Sequence, residues 1–205
     1  MKSFHSSVII LTGALMLLGC EKENPEDFNT VIGSGEVVSQ SLELAQFSDI
    51  TLEGVASLYV TLGEEQSVQV RAQQNILEVL NWEVTAGRLI ISTEENIRLE
   101  NHKEIRFDIV VEDLYSLLHS GVGDIRLEGQ VRSSFEIDYW GVGNINAYDL
   151  PVNNCIVNSD GIGDCKLRVN DSLVANIQNL GNIYYRGNPA IDLNNNGMGN
   201  LVNDN

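Results

Sequence analysis

From residue 37 onward, apolar and polar residues alternate in short runs: Val37 to Leu44, Phe47 to Leu52, Leu58 to Leu62 and Val68 to Arg71. A period of two is that of a strand with one face buried and one in water. The stretch Ile76-Leu77-Glu78-Val79-Leu80 breaks the alternation and predicts one helical turn or a bend. Strands are expected again at 82–84, 89–91 and 105–111, and the polar segment Glu94 to Lys103 is expected as a mobile loop. Little of this pattern favours helix, so the predicted class is all-β.

In the C-terminal half the alternation is organised around one phrase. It reads Gly121-Val122-Gly123-Asp124-Ile125, Gly141-Val142-Gly143-Asn144-Ile145, Gly161-Ile162-Gly163-Asp164-Cys165, Leu180-Gly181-Asn182-Ile183 and Gly197-Met198-Gly199-Asn200-Leu201. The second glycine advances by 20, 20, 18 and 18 residues. A unit this short cannot bury its own apolar residues, so successive copies must stack on one shared core. Aligned on the phrase, Tyr115, Phe135, Cys155, Leu173 and Ile191 fall in one slot, and Leu117, Ile137, Val157, Ala175 and Leu193 in another. Both slots are expected to face inward, with Glu136, Ile156, Val174 and Asp192 outward. Each coil then reads as strand, glycine corner, strand, bend, in which the glycines take dihedrals a Cβ disfavours and the following Asp or Asn bonds back to local backbone. Gly54-Val55-Ala56-Ser57-Leu58 is a worn copy, which predicts that the N-terminal half winds on the same axis in longer, less regular coils.

The N-terminus changes the picture from fold to destination. Lys2 precedes an apolar run that ends Leu17-Leu18-Gly19-Cys20, the layout of an export signal over 1–19, too short to favour a membrane-spanning helix. Leu17 to Cys20 also resembles a bacterial lipobox, which implies acylation of Cys20 and attachment to the membrane through lipid alone. Glu21 to Asp27 is polar and acidic, so 20–32 is expected as a solvated linker and 33–205 as a single domain. The linker also resembles the acidic stretch of surface-exported Bacteroidetes lipoproteins. A formal charge of −17, with only 12 Lys and Arg, argues against nucleic acid and against an electrostatic hold on anionic polysaccharide or headgroups. With Cys20 assigned to lipid, Cys155 and Cys165 remain, both in apolar slots, either as two buried thiols or as a disulfide across one coil.

The Gly33-Ser34-Gly35 opening, the Phe47-Ser48-Asp49-Ile50 strand and the recurrent Gly-x-Gly-Asp/Asn-Ile phrase together resemble the GIN-domain family, described as the head of autotransporter adhesins. The resemblance covers 33 to 203 and implies a right-handed parallel β-helix on a tethered envelope protein, with no catalytic residues to carry over. Here the residue between the glycines is larger than usual: Val122, Val142, Ile162 and Met198.

Candidate chemistry is sparse. Asp124, Asn144 and Asp164 should stack along one corner with Asn182 and Asn200, either as a calcium site of carboxylate and carbonyl oxygens or as a ladder that caps backbone groups. Carboxylates such as Asp138, Asp149 and Asp160 sit in no distinctive motif, and His102 and His119 form no triad or zinc pattern, so no catalytic residue is assigned. Binding of a glycan or a protein is the expected role, with Trp140, Tyr148 and Tyr184 as outward aromatics, whereas Tyr139 and Tyr185 share the parity of the core; a structural, self-associating envelope protein, and after it a carbohydrate-active enzyme on the same scaffold, are the alternatives. The last coil leaves an open strand edge, which either its own polar Asn195-Asn196 and Asn203-Asp204-Asn205 cap or a second copy of the chain covers. The expected location is the outer membrane facing outward, with a periplasm-facing lipoprotein as the alternative.

Overall fold

The structure is a computed structural model and describes residues 28–205. Cys20 and the signal sequence lie outside the described residues. The chain runs β1 (Asn29–Ile32), β2 (Val37–Leu42), β3 (Asp49–Leu52), β4 (Ser57–Leu62), β5 (Ser67–Gln73), the single turn α1 (Gln74–Leu77), β6 (Leu80–Thr85), β7 (Arg88–Thr93), β8 (Ile97–Glu100) and β9 (Arg106–Val111). The repeats follow as β10 (Ser116–His119), β11 (Ile125–Glu128), β12 (Arg132–Tyr139), β13 (Ile145–Ser159), β14 (Cys165–Ile177), β15 (Ile183–Arg186), β16 (Ala190–Asn195) and β17 (Leu201–Asn203).

Fifteen of these strands form one curled sheet, and β1 pairs with β8 separately. The curl follows from β13 and β14, which are long enough to serve two rows. Their first halves stack with β4, β11 and β15, and their second halves with β12 and β16. The core lies between the rows. Leu58, Ile125, Ile145, Cys165, Ile183 and Leu201 stand in register along one row. Ile50, Leu117, Ile137, Val157, Ala175 and Leu193 do so along the other. These are the slots that the aligned repeats define, because parallel pairing of equivalent residues puts identical side-chain parity on every rung.

The all-β class is as expected, but the sheet is mixed rather than a parallel β-helix throughout. β3 and β4 do join the parallel stacks, as the worn phrase at Gly54 predicts. In contrast, β2–β5, β5–β9 and β6–β7 are antiparallel. Ala86 and Gly87 both have positive φ, of 50° and 78°, and this two-residue turn folds β7 straight back on β6. Three local expectations also change. The segment expected as a loop contains β8, held in parallel by β1, which itself falls in the stretch assigned to the linker. Tyr115 is exposed because a bend before β10 gives its inward place to Leu114. Ile191 and Leu193 occupy inward slots but remain exposed, since among the described residues no strand stacks beyond β16.

Candidate functional site

The glycine corner is built by contact between backbones. Gly143 has φ +137°, and a Cβ there would run into the carbonyl of Gly123 in the preceding repeat. With glycine in place, Val142 N donates to Gly121 O at 2.9 Å and Gly143 N to Ile162 O at 3.0 Å, which links three repeats. The residue between the glycines is thereby turned outward, whereas the residue after the acid or amide (Ile125, Ile145, Cys165) points into the core.

Asp124, Asn144 and Asp164 do come together at this corner. Asn144 N and Nδ2 donate to Asp124 Oδ1 at 2.7 and 3.1 Å, and Asp164 N donates to Asn144 Oδ1 at 3.0 Å. Asn182 and Asn200 continue the chain in the same way. Oδ1 of Asp124, Asn144, Asp164 and Asn182 therefore each caps a backbone N–H of the next repeat. Among the described residues, no three His, Cys, Asp or Glu side chains converge at one point. Asp138 is likewise engaged, accepting from Asn158 Nδ2 at 2.8 Å, and Asn158 in turn accepts from Asn176 at 2.7 Å.

Behind the corner lies a buried polar column, His119, Tyr139 and Ser159, in register on β10, β12 and β13. The His119 and Tyr139 rings stack at 5.3 Å. His119 Nε2 is 3.0 Å from Gly123 O, so that nitrogen carries the proton, and Nδ1 has no partner. Burial lowers the His119 pKa and keeps the ring neutral, while burial pushes the Tyr139 phenol up to about 12 and its hydroxyl donates to Gly143 O. Cys155 and Cys165 are both free and buried, so the disulfide alternative is not formed. Burial pushes the Cys155 thiol up to about 12 and the Cys165 thiol well above its ordinary value.

The three outward aromatics are divided between two places. Trp140 is exposed at the glycine corner, two residues before Val142. Tyr148 and Tyr184 lie on the row of β13 and β15. Arg186 covers the Tyr148 ring at 4.0 Å, and the Tyr148 hydroxyl donates to Asp204 Oδ2 at 2.7 Å. Burial and that bond raise the Tyr148 pKa, and the same bond lowers that of Asp204. Tyr184 lies in a registered outer row that runs Asp108, Tyr59, Arg126, Asn146, Lys166, Tyr184, Val202. Arg106 stacks on Tyr59 at 3.6 Å, Thr61 Oγ1 donates to Glu128 Oε1 at 3.1 Å, and Arg126 pairs with Asp149 at 2.9 Å. Tyr59, Thr61, Arg106, Asp108, Arg126 and Glu128 line a shallow hollow of about 370 Å³. Sequence reasoning missed Tyr59, Arg106 and Arg126. Alternation marks each as outward, but only the pairing of β4 between β9 and β11 brings them together.

Residues 46–134 and 116–189 match the model of a family described as "putative auto-transporter adhesin, head GIN domain". Among solved structures, a "putative adhesin" of Bacteroides fragilis is similar at TM-score 0.62 and 21% identity, over 84% of this chain and 99% of that one. A "putative lipid binding protein" of Parabacteroides distasonis is similar at TM-score 0.41 and 18% identity, over 86% and 100%. No functionally curated protein matches the chain.

Proposed function

The chain belongs to the GIN head-domain family, and from that premise we propose that it is a non-catalytic adhesion or ligand-binding module of the cell envelope, with a glycan or protein as ligand. The observation that carries this reading is the outer row of Tyr59, Arg126, Asn146, Lys166 and Tyr184. Aromatic faces, an amide and two cations repeat there at the strand spacing of about 4.8 Å, and such groups stack on sugar rings and donate to hydroxyls or carbonyls. Tyr148 extends the row, and Trp140 offers a second exposed ring. Acylated Cys20 is the proposed tether, in the outer membrane and facing outward, with a periplasm-facing position as the alternative.

The stacked repeats are read as short right-handed parallel coils of about 18–20 residues, in support of which equivalent residues pair at offsets of 20 and then 18. A second reading is favoured by one observation. Among the described residues β16 and β17 each have one unpaired edge, and Ile191 and Leu193 stand exposed on β16, which suits end-to-end association of two copies.

Protease treatment of intact cells, with a periplasmic protein as leakage control, tests the location: digestion of the domain is expected, and protection overturns outward display. Glycan and protein arrays probed with the purified domain test the ligand. Saturable binding lost in Arg126→Ala with Tyr184→Ala is expected, and binding unchanged in that variant refutes the row as the site.

A further inference from the structure

The residues between the corner glycines form a feature that the outer row does not use. Val55, Val122, Val142 and Ile162 are joined rung to rung by parallel bridges, and Leu180 and Met198 hold the same place in the last two copies. Val122, Val142, Ile162 and Leu180 are 45–52% exposed and Met198 is 78% exposed. Five steps of about 4.8 Å make an apolar ridge of about 24 Å, continued sideways by Trp140. Nothing about the corner demands aliphatic side chains here, because these side chains point away from the core and the glycines on either side make the close contacts. A contiguous exposed apolar strip of this kind marks an interaction surface.

The flanking rows say what fits it. Two residues before each ridge position stand Glu53, Trp140 and Asp160 among neutral groups, and two residues after stand Asp124 and Asp164 among Asn and Ser. Four carboxylates thus border the ridge, and neither row contains a Lys or Arg. Two copies meeting ridge to ridge would oppose these carboxylates with their own, each on a chain of charge −17. An anionic membrane is disfavoured by the same charges.

We propose that this ridge docks a basic amphipathic segment of another polypeptide, whose apolar side chains pack along Val122 to Met198 while its Lys and Arg face Asp124, Asp160, Asp164 and Glu53. The proposal deepens the binding-module reading and rests on it, naming a second face and the class of protein it takes.

The test uses a peptide of alternating Leu and Lys faces, about 16 residues long, which spans about 24 Å as a helix, and a Leu/Glu peptide of equal length. Binding to the domain is followed by calorimetry and by the emission of Trp140, with Trp140→Phe assigning the signal. Saturable binding of the Leu/Lys peptide alone is expected. It should weaken about tenfold or more when Val142, Ile162 and Met198 are all changed to Ser, since each loses a buried aliphatic contact. It should weaken several-fold in Asp124→Asn with Asp160→Asn and Asp164→Asn, or in about 0.5 M salt, where the Debye length falls below about 5 Å. The Asn replacements keep the Oδ1 acceptors of the ladder, and an unchanged melting curve confirms that the exposed Ser replacements leave the fold intact. Equal binding of the Leu/Glu peptide, undiminished affinity of the Ser variant, or no binding at all overturns the proposal. So does a concentration-dependent dimer that the Ser variant loses, which would make a second copy the occupant. In each case an intact array signal at the outer row leaves the broader binding reading standing, and its loss removes that reading separately.

Discussion

Alanine introduced one glycine at a time separates the two reasons for glycine in this fold. At Gly87 the backbone has φ +78° and a Cβ would meet nothing within 4 Å, so only conformational strain is added. That strain is about 1–2 kcal/mol for a residue with a Cβ in the left-handed region. At Gly141 no positive φ is present, but a Cβ would collide with the carbonyl of Gly121. The obstacle is backbone held in the stack, so the upper part of the overpacking range applies, about 2–3 kcal/mol. Gly143 combines both, with φ +137° and the Gly123 carbonyl in the way, and its replacement should cost about 3–5 kcal/mol. Urea unfolding of Gly87→Ala, Gly141→Ala and Gly143→Ala, with the m-value held common, reads these costs directly. In a domain of this size each kcal/mol lowers the melting temperature by about 2–4 °C, so Gly143→Ala should melt at least about 6 °C below the parent. If Gly141→Ala and Gly143→Ala cost no more than Gly87→Ala, adjacent corners do not touch and the stacked description is wrong.

Other consequences are testable in the same preparation. The lowered pKa of buried His119 means that the unfolded chain binds its proton first, so stability is retained above pH about 6.5 and lost as pH falls below it, levelling off once the folded pKa is passed. His119→Gln should remove that part of the pH dependence, and an unchanged profile between wild type and variant would refute neutral burial. Cys155 and Cys165 should resist thiol reagents in the native state and react at once in denaturant, because burial raises both pKa values; modification of either within minutes under native conditions would show that the core opens. Asn144→Ala removes an acceptor of Asp164 N and a donor to Asp124, and should cost about 1 kcal/mol by chemical denaturation, whereas Asp124→Asn should be nearly neutral in stability. A cost for Asp124→Asn as large as that for Asn144→Ala would mean that the charge, and not the acceptor, holds the corner.

Much of the repeat region was legible because its parallel register matches residues of equal rank in the phrase. Aligning Ile125 with Ile145 and Cys165 in sequence is the same operation as pairing them in space. The N-terminal half follows no such rule. Whether β5 pairs with β4 or with β9 depends on contacts between distant segments, and alternation is identical in either case, so the antiparallel strands and the place of β8 could not be read from residue pattern. Tyr115 shows the finer limit, since one bend at 113–115 reverses parity and no composition signal marks it. The stacking of Asp124, Asn144 and Asp164 was readable from the repeat, but which atoms bond depends on where Asn144 directs its N–H groups. Tyr59, Arg106 and Arg126 come from different turns of the chain, and their meeting is a property of the fold alone.

The change of register within β13 and β14 has an evolutionary corollary. Pairing holds an offset of 20 residues up to Ala147↔Leu167, slips between Ala147 and Asn154, and resumes at 18 from Asn154↔Ser172 onward. The slip is confined to the crossover between the two rows, so a difference of two residues between repeats is absorbed there without displacing a corner, a core slot or a ladder rung. A length change of that kind is accommodated where the chain crosses from one row to the other. Lineages can therefore shorten, lengthen or duplicate whole modules, adding about 4.8 Å of reach with each, while every module keeps its seat on the one before it.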